Sequence, residues 1–83
     1  MRFDQVLHAL RLCKSRSQAS LAIQDGVALL NGQVVKPSHG VHPGDRITLA
    51  GPAGRRTCEV LALPRASLSR DAARALVREV PGA

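Results

Sequence analysis

Arg11, Lys14 and Arg16 fall in one short stretch, with Ser15, Ser17 and Gln18 interleaved among them and just beyond. Guanidinium and ammonium groups supply charge, and the hydroxyls and amide supply neutral donors. That mixture suits phosphate oxygens. Ser15-Arg16-Ser17-Gln18 also has the form of a capping box, so a helix is expected to start there. Its first N–H groups and the positive end of its dipole would then face the same anion. Arg2 and Lys36 are the remaining cations before Arg46. The residue types alone leave a second account open, in which these are ordinary solvated turn residues.

Other chemistry finds weaker footing. His8, His39 and His42 are metal-ligand types, as are Cys13 and Cys58, but no Cys pair stands at zinc spacing. No nucleophile has a base at a recognisable distance along the chain. The expectation is therefore a non-catalytic protein with no cofactor and no bound metal. Both cysteines read as small, buried, apolar side chains rather than a disulfide.

The composition bounds the rest. A chain of 83 residues makes one small domain. With 12 Lys plus Arg against 6 Asp plus Glu, its net charge of +6 points to a polyanionic partner. Phe3 is the only aromatic residue, which disfavours base stacking on an aromatic sheet surface. No apolar run reaches membrane-span length. Asp4, His8 and Arg11 interrupt what would be a signal peptide. A cytoplasmic monomer with no membrane partner is expected.

The elements that must position these residues can be read from spacing. Phe3, Val6, Leu7 and Leu10 repeat at helical intervals, which predicts a helix from Arg2 to Cys13 with Asp4, His8 and Arg11 on another flank. A sharp turn at Lys14 leads to a second helix that buries Ala19, Ala22 and Ile23 and stops at Gly26. Val27–Leu30 and Gln33–Val35 flank Asn31-Gly32, a strong hairpin signal. Pro43-Gly44 fits a type II turn before a strand at Arg46–Ala50. Arg56–Leu63 alternates as another strand, with Cys58, Val60 and Ala62 on one face. A last helix is expected from Ser69, with Leu68 as a staple on Ala73 and with Arg70, Arg74 and Arg78 as a basic stripe. Together these predict an α+β fold: two short helices on a small, mostly antiparallel sheet, plus a C-terminal helix. Residues 1–63 would form the binding domain, and residues 64–83 the helix packed on it.

MRFDQVL, RLCKSRSQA, QDGVALLNGQVVKPS and VHPGDRI, in that order, resemble the signature of the ribosomal small-subunit protein S-four type of RNA-binding domain, built on the αL motif. The similarity runs from Met1 to about Leu49. Its length and arrangement are similar to those of stand-alone bacterial members of the heat-shock protein fifteen and RqcP type. The resemblance implies structured RNA as partner: ribosomal RNA of the large subunit, and tRNA, on ribosomes obstructed by a nascent chain. It implies contacts at Arg2, Arg11, Lys14, Arg16, Ser17, Lys36 and Ser38. Gln5, Val6 and His8 depart from the family pattern, where Lys, a large aromatic, and Trp or Lys are common.

Two further classes stay open on sequence. A DNA-binding helix–turn–helix would need base-reading side chains on its second helix, which offers only Ser20, Gln24 and Asp25. A protein-interaction module would use the Arg70, Arg74 and Arg78 stripe, which reads equally as a second RNA contact or as a solvated face partly neutralised by Asp71 and Glu79.

Overall fold

Phe3, Val6, Leu7 and Leu10, spaced for one helical face, are all buried. They lie on and just beyond the first helix, α1 (Phe3–Ala9), of a computed structural model that describes residues 1–52, 54–65 and 69–81. The helix stops short of the expected Cys13. Arg11 adopts a left-handed φ of 60°, and the N–H groups of Leu12 and Cys13 both donate to the Leu7 carbonyl at 2.9 and 3.1 Å. Periodicity explains the early end. A continued helix would have carried Leu12 off the apolar face, whereas the turn lets both Leu12 and Cys13 pack against the core.

The second helix, α2 (Arg16–Gln24), opens as its sequence predicts: Ser15 Oγ accepts from the Gln18 N–H at 3.1 Å. Such a cap contributes about 1 kcal/mol. It closes with a Schellman arrangement. Gly26, at φ 74°, donates to the Ile23 carbonyl, and Val27 donates to that of Ala22. α1 and α2 pack on each other, and α2 buries Ala19 and Ile23.

Below the helices lies a four-stranded antiparallel sheet in the order β1-β2-β3-β4. Its strands are β1 (Ala28–Leu30), β2 (Arg46–Gly51), β3 (Gly54–Val60) and β4 (Val77–Glu79). Ala28, Leu30, Ile47 and Val60 form the sheet's share of the core beneath Phe3, Leu7 and Ile23. On the opposite face, Thr48 and Thr57 share a hydrogen bond of 2.9 Å across the β2–β3 pair.

Two further elements differ from expectation. Asn31 and Gly32 do turn, with φ 52° and 78°, but the return pairs only at Leu30 and Gln33; Gln33–Val35 is not a strand. Beyond it, the backbone bonds to the start of the chain instead. Phe3 and Asp4 donate to the carbonyls of His39 and Pro37, and Val41 donates to that of Met1. β1 is paired along its length by β2, in register from Ala28–Leu49 to Leu30–Ile47. The second difference is at the C-terminal end. Ser69 caps a helix as expected, accepting from the Ala72 N–H, but this helix, α3, spans only Arg70–Arg74. Val77–Glu79 leaves it to extend the sheet beside β3. The β-branched Val77 and Val80 fit a pleated edge better than a helical turn. Leu68, the expected staple, lies outside the described residues.

Candidate nucleic-acid interface

The left-handed Arg11 and the capped Ser15 throw the segment between α1 and α2 outward as a tight basic turn. Lys14, Arg16 and Ser17 are exposed there, as is Arg11. The backbone N–H groups of Arg16 and Ser17 find no acceptor among the described residues, because the Ser15 hydroxyl takes only that of Gln18. An anion at this helix start meets open donors, a positive dipole end and a cationic side chain on each side.

Asp4 organises the neighbouring cations. It is only 4% exposed, yet it carries a carboxylate. Arg2 closes on it as a fork, with Nε to Oδ1 at 3.1 Å and Nη2 to Oδ2 at 3.0 Å. The Gln5 N–H donates to Oδ1 at 2.8 Å, and Arg16 Nη2 stands 3.7 Å from the same oxygen. Arg2, from the start of the chain, and Arg16, from the start of α2, are thereby held on one carboxylate while each side chain stays 49% exposed. Two guanidinium groups on one acid leave a net positive charge facing outward. Lys36 and Ser38 are also exposed, on the segment that bonds to the chain start, and an isolated bridge joins Arg2 to Gly40. The expected residues thus gather on one end of the molecule: Arg2 and Arg16 on Asp4, Lys36 and Ser38 on the adjoining loop, and Lys14 and Ser17 at the turn.

Arg11 and Lys14 also border a second feature. An open groove of about 990 Å³ runs from the turn across the inner face of the sheet to α3. Among the described residues, Arg56, Arg70 and Arg74 continue its cationic border, and Glu79 is the acid that lines it, 3.4 Å from Arg56. Leu12, Leu49 and Val77 lie among the apolar residues lining it. Cys13 and Cys58 line it too, half-buried, and burial raises both thiols above their ordinary pKa. At Cys58, Arg56 opposes that rise and Glu79 adds to it. Of the three sheet-side arginines, Arg56 was not among the expected contacts, and Arg70 and Arg74 entered only as one of two accounts of the basic stripe, although two signals pointed to them. Arg56 shares the period-two parity of Cys58 and Val60, and Arg70 and Arg74 stand one helical turn apart. Arg78, expected on the same stripe, belongs instead to the outer face, where it pairs with Glu59 at 2.7 Å. Asp4 was read only as part of a polar flank; that it is buried depends on the chain start folding under the 37–41 loop.

Among the described residues, no three His, Cys, Asp or Glu side chains converge as a metal site, and no helix is long and apolar enough to cross a membrane.

A basic turn at the mouth of a capped helix, mounted on a short helical pair over an antiparallel sheet, is the build of an RNA-binding module. Residues 1–47 match the S4 domain family, and the chain belongs to that RNA-binding family. In three dimensions it is similar to Vibrio cholerae heat shock protein 15, whose solved structure is trimeric. The TM-score is 0.91 with 32% identity over 98% of this chain and 82% of that one. It is also similar to the solution structure of the hypothetical protein HP1423, with a TM-score of 0.81 and 27% identity over 100% of both chains. No curated protein matches it by sequence.

Proposed function

We propose that this protein is a non-catalytic, cytoplasmic factor that binds structured RNA on the large ribosomal subunit, contacting ribosomal RNA and tRNA when a stalled nascent chain is to be cleared. The observation that carries this reading is the pairing of Arg2 and Arg16 on Asp4 beside the open start of α2. It is a preset arrangement of two planar guanidinium groups and backbone donors, suited to neighbouring phosphates of folded RNA. Lys14, Ser17, Lys36, Ser38 and Arg11 extend the contact around it. The helix–turn–helix alternative for DNA loses ground on α2 itself, where Gln24 donates to Ser20 at 3.2 Å instead of presenting a free amide to a base edge.

The experiment is sedimentation of tagged protein from cells, with and without an inhibitor that stalls translation. The wild type is expected to follow large-subunit particles more strongly after stalling, and Arg16→Ala is expected to remain near the top of the gradient. Co-migration with small subunits alone would overturn the ribosomal assignment. In this reading the protein acts as a monomer. The trimer formed by the Vibrio cholerae protein favours the other state, and a threefold mass in analytical ultracentrifugation would replace the monomer.

A further inference from the structure

We infer that the groove between the basic turn and α3 receives unpaired nucleotides that flank the folded RNA, with bases between its apolar lining and the α3 guanidinium planes and phosphates on the other cations of its border. This inference rests on the RNA-binding reading and deepens it by naming what enters a second, separate recess. Among the described residues, five cations border the groove (Arg11, Lys14, Arg56, Arg70 and Arg74) and Glu79 is the acid beside them. That imbalance selects an anion. The lining between them includes Leu12, Leu49 and Val77, and phosphate gains nothing from such a surface. A nucleobase does, because its face is apolar while its linkage is charged. The recess, about 990 Å³, falls at the upper end of the roughly 300–1,000 Å³ typical of pockets for small organic ligands.

Double-stranded RNA is excluded by the same chemistry. Its bases are stacked and its accessible surface is sugar and phosphate, so it would span the border without reaching the lining. An unpaired base can be splayed into the recess, and with no aromatic in the lining its stacking partners are guanidinium planes. Arg70 and Arg74, one turn apart on α3, are placed to supply them. An acidic peptide shares the charge and the apolar character. Continuity favours RNA: Arg11 and Lys14 belong both to the groove and to the turn that grips the folded part, so one strand can run from turn to groove without a break.

The test is fluorescence anisotropy at fixed salt with a blunt RNA hairpin and with the same hairpin carrying a short unpaired adenosine tail at each end. The wild type is expected to bind the tailed hairpin about tenfold more tightly, the scale of stacking one or two bases. The double variant Arg70→Ala/Arg74→Ala should reduce that preference to within about twofold while leaving the blunt hairpin nearly unchanged. Arg70→Lys/Arg74→Lys, which keeps charge but loses the planes, should also lose most of the preference. Equal wild-type affinity for the two RNAs overturns the inference. So does a double Ala variant that weakens both RNAs by the same factor, which would reduce the groove to a general phosphate contact. Displacement of the tail by polyglutamate at concentrations matching the RNA would assign the groove to an acidic protein segment and overturn it as well. If the wild type binds neither hairpin, the RNA-binding reading itself fails, an outcome distinct from all of these.

Discussion

Asp4 is the residue on which charge and position make opposite predictions. Replacing it by Asn raises the net charge by one, and a purely electrostatic account expects tighter RNA binding. The structure gives Asp4 a different task, because its two oxygens fix where Arg2 and Arg16 stand. Without the carboxylate the fork from Arg2 is lost, and both long side chains regain rotamer freedom that must be surrendered on binding. Asp4→Asn is therefore expected to weaken a structured RNA by about three- to tenfold at fixed salt and to lower stability by about 1 kcal/mol, a modest figure because both arginines are half exposed. Tighter binding would show that Asp4 merely neutralises the site. At the same scale, burial raises the pKa of Cys13 and Cys58 in the folded protein. Both should stay protonated at neutral pH and react with iodoacetamide more slowly than a free thiol. The native thiols hold their protons more tightly than the unfolded ones, so their contribution to stability is intact below the ordinary thiol pKa and is lost as pH rises through the raised one. A urea midpoint that climbs in mild alkali would contradict this.

Among the elements, the two turns Asn31-Gly32 and Pro43-Gly44-Asp45 act as one unit. Asn31 Oδ1 accepts from the Arg46 N–H at 2.9 Å, its Nδ2 donates to Asp45 Oδ1 at 3.2 Å, and Asp45 Oδ2 accepts from the His42 N–H at 2.9 Å. Asn31 also holds a left-handed φ of 52°, which Asn tolerates better than most residues. Asn31→Ala loses the bonds and keeps the strained backbone, so a destabilisation of about 1–3 kcal/mol is expected by chemical denaturation. A cost below about 0.5 kcal/mol, the usual range for a featureless surface change, would dissolve the proposed link between the turns. Local turn and cap chemistry of this kind was legible in the sequence: the Ser15 cap, the Gly26 stop, the type II turn closed by Asp45 N–H to the His42 carbonyl, and the Ser69 cap all stand where residue types placed them. Partner choice was not. Gln33–Val35 had strand-forming residues, but the chain start competed for the following backbone, and nothing within those residues signals that. Residues 73–80 fit helical spacing at Ala73, Leu76, Val77 and Val80, yet the free edge of β3 drew Val77–Glu79 into the sheet. Short apolar runs satisfy both periods, and only tertiary pairing decides between them.

For the whole molecule, the question is whether a net charge of +6 acts as a cloud or as a site. The fold separates the two, because its cations lie on different faces. Arg2, Lys14, Arg16 and Lys36 gather at the turn end, whereas Arg46 and Arg55 border a small recess with Thr48 and Thr57 on the outer face of the sheet. The turn cations were legible from their crowding around Ser15, and the separation of faces was not, because it depends on strand register. If phosphates are neutralised at the turn end by four or five cations, log affinity should fall with log salt at a slope near −3 to −4, about a hundredfold loss from 50 to 200 mM. Arg16→Ala and Lys14→Ala should each weaken binding and make the slope shallower by about 0.7–0.9. Arg55→Ala removes the same formal charge from the outer face of the sheet, away from the turn, and should leave the slope nearly unchanged. Neither turn variant should shift the thermal midpoint by more than a degree or two, since exposed cations contribute little to folding. Equal losses for Arg16→Ala and Arg55→Ala would mean that the RNA senses only total charge. A slope change confined to the turn variants would locate the counterion release at the end of the molecule where Asp4 holds Arg2 and Arg16.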